Sequence, residues 1–159
     1  MATWGEFEAA EPEMAGLGQG LLEIGYLATV RKDGAPRVHP VCPIFAAGRM
    51  FVAVAPSSPK RWDLRGDARY ALHGLPGKQD EEIYVTGRAR LVEEADTLAA
   101  VAGAAGHTVH ADDWVFELGI ERAMTAHWEK VGQPGTYPVR RWWPGLGREL
   151  PRHRNEPRE

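Results

Sequence analysis

The chain has 159 residues, 43% hydrophobic and 26% charged, with a formal net charge of −3. That is the size and balance of one ordinary globular domain, and the small negative excess excludes a global pull toward nucleic acid or a membrane surface. Cys42 is the single cysteine, which excludes an intrachain disulfide and makes a reducing cytoplasm the expected setting.

The opening is acidic, with Glu6, Glu8, Glu11 and Glu13, and reads as no secretory signal; no stretch approaches the roughly 20 apolar residues of a membrane span. Residues 3–10 predict a short helix, with Thr3 and Glu6 at the capping-box spacing. Pro12 starts a second helix running to about residue 23, with Met14, Leu17, Leu21, Leu22 and Ile24 as its apolar face. Gly16, Gly18 and Gly20 weaken it, each by about 1 kcal/mol against Ala. Gly25 ends it.

Residues 26–31 and 36–45 predict two strands around Asp33-Gly34, a strong hairpin signal because Gly accepts the positive φ of a tight turn. In the second strand Arg37, His39, Val41 and Pro43 share one face, and Val38, Cys42 and Ile44 the other. Pro36, Pro40 and Pro43 cannot donate ladder hydrogen bonds, so part of this strand belongs at an edge, a bulge or a bend. A turn at Gly48 leads into a third strand, 51–55.

The segment 57–66 is a short basic interruption. Ser57 or Ser58 is the expected helix cap and Pro59 the first helical residue, with Lys60 and Arg61 beside the free amides. Asp67 ends it. Strand four is 69–73, and strand five, 83–92, holds Gly87 at its middle, where a bulge, a barrel corner or a close backbone approach is expected. An Ala-rich helix, 95–105, follows. The apolar alternation of Phe116, Leu118, Ile120, Ala126 and Trp128 predicts a sixth strand within 114–128, with room for a helical turn at 121–124. Residues 137–143 read as one more short strand. The whole predicts one domain over 1–143, mainly β with flanking helices, as a six- or seven-stranded antiparallel barrel. The tail 144–159 is basic and poor in apolar residues, and is expected to be mobile or held by a partner.

Four constellations bear on chemistry. His107 and His110, followed by Asp112 and Asp113, have a zinc-compatible spacing, but no Glu stands between them and the segment is not helical in pattern, so no native metal is expected. Cys42 lacks a neighbouring His or helix start and reads as a small buried hydrophobe. Trp142 and Trp143 with the tail arginines suit a subunit contact better than stacking on nucleic acid, given the acidic balance. The strongest signal is the stretch from Ser57 to Arg61, where a capped helix start and two cations follow a strand directly, with Arg37 on a neighbouring strand: an anion site.

Three pieces carry a resemblance: Leu27-Ala-Thr-Val-Arg-Lys-Asp-Gly-Ala-Pro-Arg-Val-His-Pro-Val41, then Ser57-Ser-Pro-Lys-Arg-Trp-Asp-Leu-Arg-Gly-Asp-Ala-Arg-Tyr-Ala-Leu72, then Tyr84-Val-Thr-Gly-Arg-Ala-Arg-Leu-Val92. In this order they resemble the pyridoxamine 5′-phosphate oxidase-like flavoproteins, with the FMN-binding split-barrel fold; the match covers roughly residues 21–92, under half of the chain. The resemblance implies a split β-barrel homodimer with FMN, or a related deazaflavin, in a cleft between subunits. It implies that Arg37, Val38, His39, Pro40 and Val41, running on to Cys42, lie along the isoalloxazine ring, with Ala53 and Val54 beside it. Ser58, Lys60 and Arg61 fall in the phosphate-binding turn. Glu82 falls where the true oxidases have a flavin-contacting Gln, and His39 and His73 become the polar groups nearest the ring.

The chain also departs from that pattern. Arg141-Trp-Trp-Pro stands in place of an Arg-Leu-x-Pro motif, Cys42 in place of a strand Lys, and Pro59 in place of a phosphate-turn Arg. The expected function is therefore a flavin-dependent oxidoreductase moving a hydride to or from a small molecule, and not pyridoxamine 5′-phosphate oxidase itself. The alternatives are a deazaflavin-dependent reductase and a non-catalytic flavin or haem binder.

Overall fold

Turn chemistry sets the frame of the sheet. In the computed structural model, which describes residues 1–148, β1 (Gly25–Val30) and β2 (Pro36–Val41) form a hairpin closed by Gly34 at φ 82°. The Arg31 amide donates to the Ala35 carbonyl at 2.9 Å, and Asp33 Oδ1 accepts from the Ala35 amide at 3.1 Å. A second hairpin joins β3 (Ile44–Ala46) to β4 (Arg49–Val54) through Ala47 and Gly48, both at positive φ (48° and 69°). Two consecutive positive-φ residues are what a two-residue turn of matching twist needs, and Ala47 adopts that conformation despite its Cβ.

The remaining elements are α1 (Trp4–Ala10), α2 (Pro12–Leu21), α3 (Lys60–Gly66), β5 (Arg69–Gly74), β6 (Glu82–Leu91), α4 (Ala95–Ala104), β7 (Trp114–His127) and β8 (Val139–Trp143). Every strand pairing is antiparallel, in the order β2-β1-β5-β6-β7-β4-β3, with β8 paired to the upper part of β7. The six or seven expected strands are thus a continuous path of seven, with β8 beside it. The two end strands, β2 and β3, are separated in sequence only by Cys42 and Pro43. The sheet curls until its edges are joined by the chain itself and not by a hydrogen-bonded ladder. Pro40 and Pro43 have no amide hydrogen to offer such a ladder.

Gly87 assists the curl. The register of β6 against β7 slips between Thr86 and Gly87, and a Cβ at Gly87 would overlap the Gly119 carbonyl oxygen. A bulge at that point adds local twist, and only Gly lets the backbones approach so closely. Inside the curl, Leu27, Leu72, Val85, Val52, Phe116 and Ile120 are buried, closed at one end by Trp4 and Phe7 of α1 and by Met14 and Leu22. Each fully buried aliphatic or aromatic side chain stabilises by about 1.5–3 kcal/mol. A smaller cluster under α4 joins Ile44, Ala46, Phe51, Val92, Val101 and Val115.

Several local expectations meet a different arrangement. The predicted strand 36–45 is broken at Cys42-Pro43. Residues 121–124 are strand within β7, not a helical turn, because Arg122, Ala123 and Met124 pair with β6, and Ala123 and Met124 with β8 as well. The α2 face uses Met14, Ala15 and Gly18, while Ile24 is 45% exposed beyond the helix. Gly18 has a packing role: a Cβ there would stand 3.0 Å from Ile83 Cδ1 and 3.3 Å from Trp4 Cη2. Cys42 is exposed, not buried, since it lies in the two-residue link between the sheet edges. Trp143 is buried within its own chain, its ring 4.9 Å from Phe7, so it is not the subunit contact expected of it. The tail expectation for 149–159 lies outside the described residues. The Thr3–Glu6 capping box forms as read, the Glu6 amide donating to Thr3 Oγ1 at 3.2 Å and the Thr3 amide to Glu6 Oε2 at 2.8 Å. Among the described residues no helix is long and apolar enough to cross a membrane.

Candidate functional site

Strand alternation and one short helix build the site. On β1, Leu27 and Thr29 face inward; across the hairpin they pair with His39 and Arg37, which therefore face inward too. The helix α3 places Leu64 in the core at 2% exposure and turns Asp63 toward the same strands. Asp63 Oδ2 accepts from Arg37 Nε at 2.7 Å and from Thr29 Oγ1 at 2.9 Å. Asp63 is 7% exposed and Arg37 24%. A carboxylate so removed from water requires both donors, because a buried charge without partners is strongly unfavourable.

Lys60, one turn earlier on α3, sits with Nζ 3.3 Å from His39 Nδ1. Burial holds its ammonium below the usual lysine pKa, the Arg37 charge pushes the same way, and Asp63 opposes both. The site thus gathers Arg37, His39 and Lys60 around one carboxylate.

The helix begins one residue later than expected, with Pro59 as its cap, and no side chain caps it. Ser58 Oγ is instead buried and without a hydrogen-bond partner. Arg61 Nε is buried and unpartnered as well, and the Arg61 side chain makes no hydrogen bond or ion pair among the described residues. Its guanidinium lies 4.8 Å from the ring centres of both Trp62 and Trp114, and those two indoles meet edge to face at 4.9 Å. Stacking on two aromatic faces fixes the guanidinium while leaving its donors free.

The other residues in question lie elsewhere. Val41 faces inward with Arg37 and His39, whereas Val38 (56% exposed) and Pro40 face outward. Beside them on that outer surface are Tyr26, paired with Pro40 and His73, and Tyr84, whose ring is 6.3 Å from His73. His73 Nδ1 lies 2.6 Å from the Gly74 carbonyl oxygen, which can only accept, so Nδ1 is the donor. Ala53 packs toward α4, Val54 is buried in the barrel, and Glu82 is half-buried opposite Ala126. Among the described residues no group of three or more His, Cys, Asp or Glu is placed to hold a metal, His107 and His110 included.

Sequence reasoning missed Thr29, Asp63 and Trp114. The hairpin register alone puts Thr29 opposite Arg37. Nothing in the sequence pairs Asp63 with an arginine 26 residues away.

A single antiparallel sheet, curled until its two edge strands are adjacent in sequence yet unpaired, decides the architecture. This is a split barrel. Solved structures agree with it: the chain is similar to a heme-binding protein from Mycobacterium smegmatis, with a TM-score of 0.61 and 18% identity over 80% of this chain and 56% of that one. It is also similar to a conserved hypothetical protein from Mycobacterium tuberculosis (TM-score 0.63, 20% identity, 78% and 88% of the two chains). A third is the heme storage protein HutZ from Vibrio cholerae (TM-score 0.57, 18% identity, 70% and 89%). At these identities the likeness is one of fold. No family model and no curated protein matches the chain.

Proposed function

We propose that this split barrel is a flavin-binding oxidoreductase that holds FMN, with the cofactor phosphate at Ser58, Lys60 and Arg61 and the ring along β2. The observation that carries the reading is the pair of buried polar atoms without partners, Ser58 Oγ and Arg61 Nε, beside the partly desolvated Lys60. Buried donors and acceptors are ordinarily satisfied, and an anionic group that accepts from all three would satisfy them. Bound flavin supplies the hydride chemistry; the protein supplies position and charge. Val38, Pro40 and Tyr26 leave an exposed apolar strip on the outer face of β2 and β1, which suits a homodimer closing over the ring. The substrate is an unidentified small molecule.

The test is titration of the cofactor-free protein with FMN, followed by flavin fluorescence. Lys60→Ala should weaken FMN by about 1.5–3 kcal/mol, the range for a hydrogen bond to a charged group. Equal affinity in parent and variant would overturn the phosphate assignment. Light scattering that gives the mass of one chain at micromolar protein would overturn the dimer.

A second reading is a non-catalytic haem binder. Two observations favour it. Arg37 is already engaged by Asp63, which leaves a phosphate fewer free cations, and two of the similar structures are described as a heme-binding and a heme storage protein. A Soret band on adding hemin, with no saturable binding of FMN, would select this reading over the first. The deazaflavin alternative predicts binding of that cofactor in preference to FMN in the same titration.

A further inference from the structure

The side of α3 that faces the β1–β2 turn lines a concavity that includes Asp63 and Arg37 but none of Ser58, Lys60 and Arg61. Two adjoining clefts, of about 520 and 580 Å³, run between α3 and the turn and share Arg31, Lys32, Trp62 and Asp63. The volumes are those of small-molecule sites, which commonly span about 300–1,000 Å³. Gly34 in the turn and Gly66 at the helix end line the first cleft, each beside open space.

Trp62 is 55% exposed, and it is held that way. Arg61 and Trp114 brace the indole, and neither lines the clefts, so the part of the ring that faces them is uncovered. A rigid exposed indole is a stacking platform whose ordering is complete before a ligand arrives.

The charges around the cleft are unevenly satisfied. Arg31 pairs with Asp33 at 3.2 Å, Arg37 with Asp63 at 2.7 Å, and Arg69 with Asp67. Asp67 stays ionised well into acid, because the bonds from Arg69 hold its carboxyl at about 2. Lys32 makes no ion pair and no side-chain hydrogen bond among the described residues. One cation without a counter-ion, beside a half-exposed indole, describes a ligand with one ring and one negative charge.

We propose that the cleft between α3 and the β1–β2 turn is a second small-molecule site, taking an aromatic monocarboxylate whose ring stacks on Trp62 and whose carboxylate meets Lys32. The inference does not rest on the cofactor reading, since it uses neither Ser58 nor Lys60.

The experiment is calorimetric titration of the full chain with four probes: indole-3-acetate, its neutral amide, cationic tryptamine, and cyclohexylacetate, which keeps the charge without the ring. Indole-3-acetate should bind saturably and about two- to fivefold tighter than the amide, as one exposed charge pair allows. Lys32→Ala should abolish that preference while the amide still binds. Trp62→Ala should weaken both indoles about tenfold, the scale of a lost aromatic stack, and Trp62→Phe should restore most of it, which separates stacking from damage to α3. No saturable binding of any probe up to about 10 mM, the scale of a negligible affinity, would overturn the site. Equal affinities for acetate and amide in the parent, or unchanged binding in Trp62→Ala, would overturn it too.

Discussion

The two ends of the sheet are two residues apart in the chain and opposite in character. At the β3 end, Ile44, Ala46 and Phe51 are 0–8% exposed, and α4 seals them with Val101 and the neighbouring Val115. The charges there lie outside the apolar layer and are mutually satisfied: Arg90 bridges Glu94 and Glu117, and Arg49 reaches Glu117 and Thr97. At the β2 end the inward positions include Arg37 and His39 beside Val41, and the helix against them brings Asp63 and Lys60. Close by, Ser58 Oγ and Arg61 Nε are buried without partners. One end has closed its polar account and buries apolar area; the other keeps polar groups out of water with donors left over. On the function proposed above, stability resides at the first end and binding at the second.

The sharpest way to break that contrast is Phe51→Ala. It should destabilise by about 3–5 kcal/mol in denaturant unfolding, as buried Phe truncations do, with flavin or hemin affinity per folded molecule unchanged. A loss of affinity there would mean that the two ends are coupled. Asp63→Ala comes next. It leaves Arg37 without its carboxylate and should cost about 1–3 kcal/mol. A fully buried pair would cost about 3–5 kcal/mol on losing one partner, but Arg37 is 24% exposed and regains water. Unlike Phe51→Ala, this change should also alter ligand affinity; a purely stability effect would make the pair structural only.

Lys60 sharpens the contrast through pH. Its folded pKa is lowered, chiefly by burial, so the unfolded chain binds more protons between the folded value and the ordinary lysine value of 10.5. Stability should therefore rise with pH across that window in the parent and not in Lys60→Met, as read by urea midpoints between pH 8 and about 10.5. A parent curve parallel to the variant would show that Lys60 is fully solvated. Asp67 gives the smallest effect. Its folded value is lowered from 3.8 to about 2 by Arg69, so its contribution is present above the unfolded value and is lost as pH falls toward 2. The difference between the parent and Asp67→Asn should close over that interval, while Arg69 leaves the ends of the sheet untouched.

What the sequence determined alone was whatever depends on neighbours along the chain. Positive φ at Gly34 and Gly48 placed the hairpins, the Thr3–Glu6 spacing placed the first cap, and period-two alternation put Arg37 and His39 on one face with Val38 on the other. Gly87 marked a bulge, a barrel corner or a close backbone approach, and the structure has both a bulge and a close approach there. These rules act over a few residues and are set by dihedral sterics and strand pleat. What only the tertiary structure decided was who meets whom across the curl. Asp63 finds Arg37 at a separation of 26 residues, Trp143 turns into its own core beside Phe7, and Cys42 is left outside at the link between the sheet edges. The physical reason is that these partners depend on how far the whole sheet coils before its ends face each other. That degree of coiling is a sum over every strand and over the bulge at Gly87, and no short window of sequence contains it.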